Sequence, residues 1–457
     1  MITGIIISFL FRENFVRIFS LIYFMLAILY SRNVIITIPS LNPDTLLNKI
    51  NQNLSHDEKL SLKYKLQSYD YFKNESVYEI INTEKMIDTL LINNDFKIKD
   101  KIINQIFMPV KKIGIGNGFE DFNKMIKARY YFINDEPAYK LGLIDDKLGA
   151  LIHLDPDFES NASGLIGINR TKNNWNINGE LALHIENYFF NAESINLYWK
   201  GVDSLSQLVE IGFDLPHPFG LNTGIALDYH HEVYKGMFSS IENRLLLKTF
   251  IPIFNSIGLG YTYGKIKPTE EGIDLGYDYV SYEAFSLNSK KNNTNSRFLP
   301  SYGNIIEINV DGGLDRNVRF IKSSIFYKKI FPFYHQAFIN FIINGKFIHY
   351  QKNSIPKSRY FRYGGASSLR GYDEQQFQAP QYHVSSLELC YKPKNYIQLM
   401  LFLDMGSHQL SSLSNYLYGY GIGLRQINRD YVINIEYGLS DLNLENGKLH
   451  IKWMTRF

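Results

Sequence analysis

The segment NINGELALHIE, at Asn176–Glu186, indicates the fold because its apolar and polar residues alternate. The apolar positions that share one face are Ile177, Leu181, Leu183 and Ile185. A period of two predicts a β-strand whose two faces meet unlike surroundings. The same alternation recurs from Ser163 to the last residue, so we expect residues 162–457 to form a single array of strands.

The number and length of these segments predict a transmembrane barrel rather than a soluble sheet. We count about sixteen segments of roughly ten residues, the length that crosses a bilayer at a tilt. Lipid forbids an open strand edge, because an unpaired backbone amide in hydrocarbon is costly, so the sheet must close. The composition agrees, since aromatic residues make up 15% of the chain, Cys occurs once and the mean hydropathy is only −0.18.

The amino-terminal part of the chain has a different organisation. Residues 1–32 contain the apolar run Ile18–Tyr30, preceded by Arg12 and Arg17, which predicts a signal-like or anchor segment. Residues 33–84 are polar with apolar residues at irregular spacing, and we assign them to a linker with one helix. Beyond the amino terminus no apolar run reaches about 18 residues, which argues against helical membrane spans.

Residues 85–156 predict a small α+β domain in front of the barrel. A strand-like segment, Met86–Asn93, is followed by two helical patterns and then by two short strand-like segments. The helical patterns place apolar residues on one face, at Ile98, Ile102 and Ile106 and then at Phe119, Phe122, Ile126 and Tyr130. The predicted fold is thus an all-β transmembrane barrel of about 16 antiparallel strands, preceded by one small α+β domain.

The last strand is the clearest single case of the alternation. Its apolar face carries Leu449, Ile451, Trp453 and Phe457, together with Thr455. The opposite face carries His450, Lys452, Met454 and Arg456. The chain ends on an aromatic residue, as bacterial outer-membrane barrels commonly do, and this strand resembles their assembly signal.

A long segment between Ile348 and Gln381 interrupts the alternation, and such a gap inside a strand array usually marks a functional loop. It contains GGASSLRGY, in which the informative residues are Gly364, Gly365, Leu369, Arg370, Gly371 and Tyr372. The motif resembles the Arg-Gly-aromatic signature on the long sixth extracellular loop of the BamA-like outer-membrane insertase and translocase superfamily, the bacterial surface antigen barrels. Our strand count puts the loop between the eleventh and twelfth strands, where that superfamily has it.

The resemblance implies a particular environment for Arg370. In the superfamily this loop folds back into the lumen, and a buried guanidinium needs a carboxylate partner. The parity of the strands turns Glu388 and Asp404 inward, and Asp404 matches the superfamily's Phe-x-Asp-x-Gly pattern on the thirteenth strand, here with Phe402 and Gly406. Arg370 would then pair with Glu388, Asp404 or both. Such a pair either takes part in activity or only fixes the loop, and the sequence supports both interpretations.

The same resemblance identifies residues 85–156 with a POTRA domain, the periplasmic module in front of such barrels. In barrels of this kind the seam between the first and last strands opens toward the bilayer and offers unpaired backbone groups to an incoming strand. Here the seam would join Ser163–Arg170 to Leu449–Phe457. We therefore expect a bacterial outer-membrane protein that assists insertion or translocation of outer-membrane proteins by lateral strand exchange. Its partners would be the lipid bilayer, unfolded outer-membrane proteins, and periplasmic or lipoprotein factors.

Two other functions fit the same sequence. A passive anchor or pore would be the barrel remnant of a patatin-type secreted fusion that lacks its lipase, since no Gly-x-Ser-x-Gly elbow occurs. An organellar relative would share the fold, although the signal-like segment favours bacteria.

We expect no enzymatic activity, catalytic residue, cofactor or metal. Ser407 and His408 are adjacent on a strand and point to opposite faces, so they cannot form a relay with Asp404. His230 and His231 diverge for the same reason, which argues against a metal site. A net charge of +3 is too small to indicate a nucleic-acid partner.

Overall fold

The structure is a computed structural model that describes most of the chain after residue 61. The described residues are 32–37, 62–73, 75–82, 87, 89–93, 97–112, 117–133, 135–144, 147–171, 174–203, 205–251, 254–296, 300–351, 355–394, 396–408, 416–428 and 430–457. The signal-like or anchor segment that we predicted at residues 1–32 lies outside them, apart from its last residue. No helix among the described residues is long and apolar enough to span a membrane.

Three strands form where we predicted a linker with one helix. β1 (Arg32–Thr37), β2 (Leu62–Asp70) and β3 (Glu75–Asn82) make an antiparallel sheet in the order β1-β3-β2. For these residues the linker prediction is therefore corrected. Apolar and polar residues alternate in β2, and the Asp70 carboxylate accepts a hydrogen bond from the backbone N–H of Phe72, which fixes the turn toward β3. The residues around these short strands are polar, so the average composition of residues 33–84 does not reveal the alternation.

The next elements follow the predicted order of strand, helix, helix, strand and strand. They are β4 (Thr89–Asn93), α1 (Asp100–Phe107), α2 (Asn117–Arg129), β5 (Ala138–Ile144) and β6 (Lys147–His153). The sheet order is β4-β6-β5, with β4 parallel and β5 antiparallel to β6. The helices bury apolar residues on the predicted faces, namely Ile102, Ile106, Phe122 and Ile126.

The barrel consists of sixteen antiparallel strands in a closed sheet, so the predicted barrel is confirmed. Its strands are β7 (Asn161–Thr171), β8 (Asn174–Glu186), β9 (Ser194–Asp203), β10 (Ser206–Leu215), β11 (Gly224–Tyr234), β12 (Phe238–Ile251), β13 (Phe254–Pro268), β14 (Val280–Asn292), β15 (Gly303–Asp315), β16 (Val318–Tyr334), β17 (Ala337–Tyr350), β20 (Gln381–Lys394), β21 (Ile397–Ser407), β22 (Leu417–Ile427), β23 (Tyr431–Leu439) and β24 (Lys448–Arg456). Two short strands, β18 (Phe361–Tyr363) and β19 (Phe377–Ala379), pair with each other in the connection between β17 and β20. The sheet closes because β24 pairs with β7.

The two faces of the barrel strands differ in exposure, as a period of two predicts. In β21, Leu401 and Leu403 are 55% and 47% exposed, whereas Phe402 and Asp404 are 4% and 0% exposed. Successive side chains on a strand point to opposite faces. The leucines therefore face outward, and Phe402 and Asp404 face the lumen.

The chain divides into two compact units, one of residues 1–93, 107–124 and 136–154 and the other of residues 94–106, 125–135 and 155–457. Within the second unit, His217 lies in the turn between β10 and β11, and its Nδ1 is 2.8 Å from the Leu221 carbonyl oxygen. Since a carbonyl only accepts, Nδ1 carries the proton, and Nε2 accepts from the Tyr130 hydroxyl at 2.6 Å. Burial lowers the pKa of His217 below its ordinary value, so this imidazole is neutral near pH 7.

Candidate functional site in the barrel lumen

We call residues 351–380, which connect the eleventh strand β17 to the twelfth strand β20, the lumen loop. It contains a short 3-10 helix at Lys357–Arg359, the β18–β19 hairpin and the GGASSLRGY motif. Inside the motif, the Gly364 N–H donates to the Ser368 hydroxyl at 2.8 Å. The loop therefore has internal structure before it meets the barrel wall.

Arg370 is buried in the lumen and forms a bidentate pair with Asp404 of β21. Its Nε lies 2.8 Å from Oδ2 of Asp404, and its Nη2 lies 2.6 Å from Oδ1. The backbone N–H of Arg370 also donates to Oδ2 at 3.0 Å. A planar guanidinium matches a carboxylate in this geometry and makes strong charge-assisted hydrogen bonds. Asp404 therefore fixes both the side chain and the backbone of the motif.

Glu388 of β20 binds Arg370 as well, so the structure places the arginine against both predicted carboxylates. Nη1 of Arg370 donates to Oε1 of Glu388 at 2.9 Å, and Nδ2 of Asn340 donates to Oε2 at 2.8 Å. The ring centroid of Phe402 lies 3.7 Å from the guanidinium carbon. The aromatic face adds a cation–π attraction beneath the ion pairs.

Glu436 of β23 is a third carboxylate at this site, and sequence reasoning missed it. Its Oε2 lies 3.4 Å from Nη1 of Arg370. The inward parity of Glu436 was readable from the alternation in YVINIEYGL, but no motif marks the residue. With Glu436 included, one arginine ties the lumen loop to β20, β21 and β23.

The backbone at Arg370 and Gly371 lies directly against two strands of the wall. Gly371 has φ +91, and a Cβ there would lie 2.5 Å from the carbonyl carbon of Leu439 in β23. A Cβ on Gly419 of β22 would lie 1.9 Å from the Arg370 carbonyl oxygen. We predicted Gly371 as a residue of the site. We did not predict Gly419, because its role depends on the lumen loop, which is distant from it in sequence.

The remaining motif residues pack around this anchor. Leu369 is fully buried in a cluster with Tyr363, Tyr382 and Val384. Gly406 makes room for it, since a Cβ on Gly406 would lie 3.1 Å from Cδ2 of Leu369. The Tyr372 hydroxyl donates to the carbonyl of Tyr418 at 3.2 Å. Every residue of the predicted loop constellation therefore lies at or beside the Arg370 site, apart from the two glycines that open the motif.

A second anchor, which we did not predict, holds the other end of the lumen loop. The guanidinium of Arg359 is buried, 3.6 Å from the ring centroid of Tyr282 on β14. Arg362 forms an ion pair with Glu232 of β11, and its guanidinium lies 4.6 Å from the Tyr234 ring centroid. The only available signal was the presence of two arginines in KSRYFRYGG. Together the two anchors stretch the loop across the lumen.

The terminal strand presents its apolar face outward. Trp453 is 37% and Phe457 70% exposed, and Leu449 and Ile451 on the same face are partly exposed. The indole of Trp453 lies over Gly164 of β7, where a Cβ would come within 1.7 Å of a ring carbon. Trp453 therefore covers the seam on its outer face.

The other reactive-looking residues do not converge on a chemical site. The His408 ring contacts the Tyr363 hydroxyl at 3.2 Å, while His230 contacts Glu210 and His231 contacts Ser239, each at 3.1 Å. In the part of the chain that the structure describes, no group of three or more His, Cys, Asp or Glu side chains could hold a metal ion.

A closed sixteen-stranded barrel with an arginine loop bound inside defines the class of outer-membrane β-barrels with a lumen loop. Residues 209–428 match the family model of the Omp85 superfamily domain, a range that includes the whole lumen loop. This match covers just under half of the chain and confirms the BamA-like resemblance inferred from the sequence.

Solved structures share the fold. CdiB from Acinetobacter baumannii is similar with a TM-score of 0.60 and 13% identity, over 91% of this chain and 81% of that chain. CdiB from Escherichia coli gives a TM-score of 0.58 and 13% identity, over 91% and 85%. BamA from Haemophilus ducreyi lacking POTRA domains 1–3 gives 0.52 and 12%, over 92% and 95%. No curated protein matches the sequence.

Proposed function

We propose that this outer-membrane barrel assists the insertion or translocation of outer-membrane proteins by lateral strand exchange at the seam between β24 and β7. Omp85 superfamily barrels are transporters and insertases rather than enzymes, which supports the general class. The observation that carries the specific proposal is that the pairing at the seam is short compared with the pairing on the opposite side of the barrel.

The seam has a much shorter ladder than the opposite side of the barrel, β12–β17, which we call the back wall. β24 pairs with β7 from Leu449↔Ile168 to Arg456↔Asn161, whereas β16 pairs with β17 from Phe320↔Tyr350 to Tyr334↔Ala337. β24 has 9 residues and β16 has 17. Since each residue pair adds to the backbone ladder, opening the seam breaks fewer hydrogen bonds than opening the back wall.

Opening of the seam would free the facing edges of β7 and β24. Once open, β7 and β24 would present unpaired N–H and C=O groups to an incoming strand. Backbone pairing gives affinity without requiring a particular client sequence. Insertion of the client into lipid would supply the free energy, so the proposal needs no cofactor.

The elements at residues 85–156 would serve as a POTRA-like domain in the periplasm. Their order of strand, helix, helix, strand and strand supports this assignment. An exposed edge in such a small mixed sheet suits an extended peptide, which binds by adding a strand. We propose that this domain receives unfolded outer-membrane proteins or periplasmic and lipoprotein partners before they reach the barrel.

The alternative of a passive pore is less compatible with the lumen. The loop and its ion pairs cross it, and the space beside them includes cavities of about 460 and 400 Å³ lined by charged side chains. A wide water-filled pore would require the loop to leave these contacts. A functional experiment distinguishes our proposal from a passive anchor that transports nothing.

Depletion in the bacterium that carries the protein tests the proposal. We expect other outer-membrane barrels to lose their folded, heat-modifiable form on electrophoresis as the protein is depleted, and wild-type protein supplied in trans to restore it. Normal assembly and normal export during depletion would contradict the proposal and favour a passive anchor.

A further inference from the structure

Two consecutive residues of the lumen loop, Asp373 and Glu374, bind strands on opposite sides of the seam. Oδ1 of Asp373 lies 2.8 Å from Nζ of Lys448 on β24. Oε2 of Glu374 lies 2.7 Å from Nζ of Lys200 on β9, and Oε1 of Glu180 on β8 lies 2.7 Å from the same ammonium group. Because β24 is the last strand of the barrel and β8 and β9 are the second and third, one dipeptide spans the seam inside the lumen.

The two bonds of this dipeptide differ in burial. The side chains of Glu374 and Lys200 are 3% and 8% exposed, and that of Glu180 is 13% exposed. The side chains of Asp373 and Lys448 are 39% and 11% exposed, so their pair is more accessible to water. Removing one partner from a buried ion pair leaves an uncompensated charge, whereas an exposed pair contributes little. The bond to β9 is therefore the stronger one.

Gly365, the second glycine of GGASSLRGY, leaves the space that the Glu374 carboxylate occupies. Gly365 has φ +94, and a Cβ there would lie 2.2 Å from the carboxyl carbon of Glu374. The N–H of Ala366 donates to Oε1 of Glu374 at 2.6 Å, and Nζ of Lys200 reaches the Ser367 hydroxyl at 3.4 Å. The motif thus holds the carboxylate in place for Lys200, a role distinct from the Arg370 anchor.

We infer that Asp373 and Glu374 form a clasp that keeps the seam closed from the lumen, and that release of Glu374 from Lys200 is a step in seam opening. The inference rests on the proposed function, in which the seam opens. Arg370 binds carboxylates on β20, β21 and β23 independently of the clasp. The motif therefore remains attached to the carboxyl-terminal strands when the bond to β9 breaks.

Disulfide trapping across the seam measures this step. Ile166 and Ile451 are register partners on β7 and β24, close enough for a disulfide when both are cysteine and the seam is closed. Ile166→Cys and Ile451→Cys are introduced with Cys390→Ala, since Cys390 is the only native cysteine. The fraction cross-linked after a short pulse of oxidant, in protein held in its native membrane, reports the closed seam.

Glu374→Gln is the sharpest variant because it keeps the shape of the side chain and leaves Lys200 paired with Glu180. We expect it to raise the open-to-closed ratio on the order of tenfold, as judged from the loss of a buried charge partner. Asp373→Asn should have a smaller effect in the same direction. The double variant Asp373→Lys/Lys448→Asp should restore the cross-linking that Asp373→Lys alone lowers.

Asp311→Asn is the matched control, because it removes an ion pair with Arg244 at 2.9 Å that joins two strands of the back wall. It should leave seam cross-linking unchanged. Heat-modifiability on electrophoresis verifies that each variant is folded, and Asp373→Asn provides the test if Glu374→Gln does not fold.

Unchanged cross-linking in folded Glu374→Gln and Asp373→Asn overturns the clasp, whatever depletion does to client assembly. If the seam opens more in these variants, the clasp is supported. If outer-membrane proteins also assemble normally in cells depleted of the protein, the proposed function is contradicted while the clasp stands.

Discussion

The back wall and the seam side of the barrel, the latter being β20–β24 and β7–β9, are held together in different ways. The back wall combines long ladders with a buried cluster that includes Phe238, Tyr282 and Phe320. The seam side has shorter strands, and the lumen loop joins them through ion pairs of Arg370 and Glu374. Opening a long ladder breaks many hydrogen bonds at once, whereas opening a shorter ladder breaks fewer, and a few side-chain contacts beside it can be released and remade. The difference explains why the closed sheet would open on the seam side rather than in the back wall.

Removing the Arg370 anchor should have the largest effect on the seam side. Arg370→Ala leaves Asp404 and Glu388 buried without their cation, which costs about 3–5 kcal/mol. We expect the midpoint of urea unfolding to fall and the lumen loop to become sensitive to protease. Arg244→Ala in the back wall serves as the comparison and should leave the loop protected. Equal protease resistance in Arg370→Ala and wild type would contradict the anchor.

The close approach of the motif to β22 predicts the next largest effect. Gly419→Ala places a Cβ within 1.9 Å of the Arg370 carbonyl oxygen, so the loop must shift, at a cost of about 1–3 kcal/mol. Gly312→Ala in the back wall is the control, because a Cβ there meets nothing within 4 Å. The midpoint of urea unfolding should be lower for Gly419→Ala than for Gly312→Ala. Equal midpoints would show that the loop does not press on β22.

The outer cover of the seam should contribute less. Trp453→Ala uncovers Gly164 and removes a cross-strand pair worth about 0.2–1 kcal/mol. We expect reduced cross-linking between cysteines at positions 166 and 451 in this variant. Phe331→Ala, which removes an outward aromatic side chain from the back wall, should leave the seam unaffected. If both variants lost the same amount of cross-linking, the effect would be a general one of aromatic residues in the membrane and not one of the seam cover.

The smallest expected effect is a pH dependence at the turn that holds His217. Burial lowers the pKa of His217, so the folded protein binds this proton less readily than the unfolded chain does. The stabilisation from the neutral imidazole is complete above its ordinary pKa of about 6.5 and is lost as the pH falls below that value. His217→Gln keeps a donor and an acceptor without a titrating group. The difference in unfolding free energy between variant and wild type should therefore change with pH in this range, and a constant difference would refute the assignment.

The sequence predicts the barrel and the core of the candidate site for related physical reasons. The alternation reports lipid on one side of each strand, and the same parity turns Glu388 and Asp404 toward the lumen. The position of Arg370 followed from a motif and a strand count. Each of these signals is local, so a single stretch of sequence carries it.

Contacts that form only when the sheet closes could not be predicted from a local stretch of sequence. Glu374 and Lys200 are far apart in sequence and meet only because β24 returns to β7 and the loop crosses the lumen. Arg359 packs on Tyr282 for the same reason. The strands β2 and β3 were missed because their alternation is short and lies among polar residues.

A disulfide lock across the seam tests whether lateral strand exchange is required for assembly. In cells depleted of the wild-type protein, the variant with Ile166→Cys, Ile451→Cys and Cys390→Ala should support assembly of outer-membrane proteins when reduced and fail to do so when oxidised. A lock at Ile321→Cys and His349→Cys, register partners in the back wall, should permit assembly in both states. Normal assembly with a fully cross-linked seam would contradict lateral strand exchange.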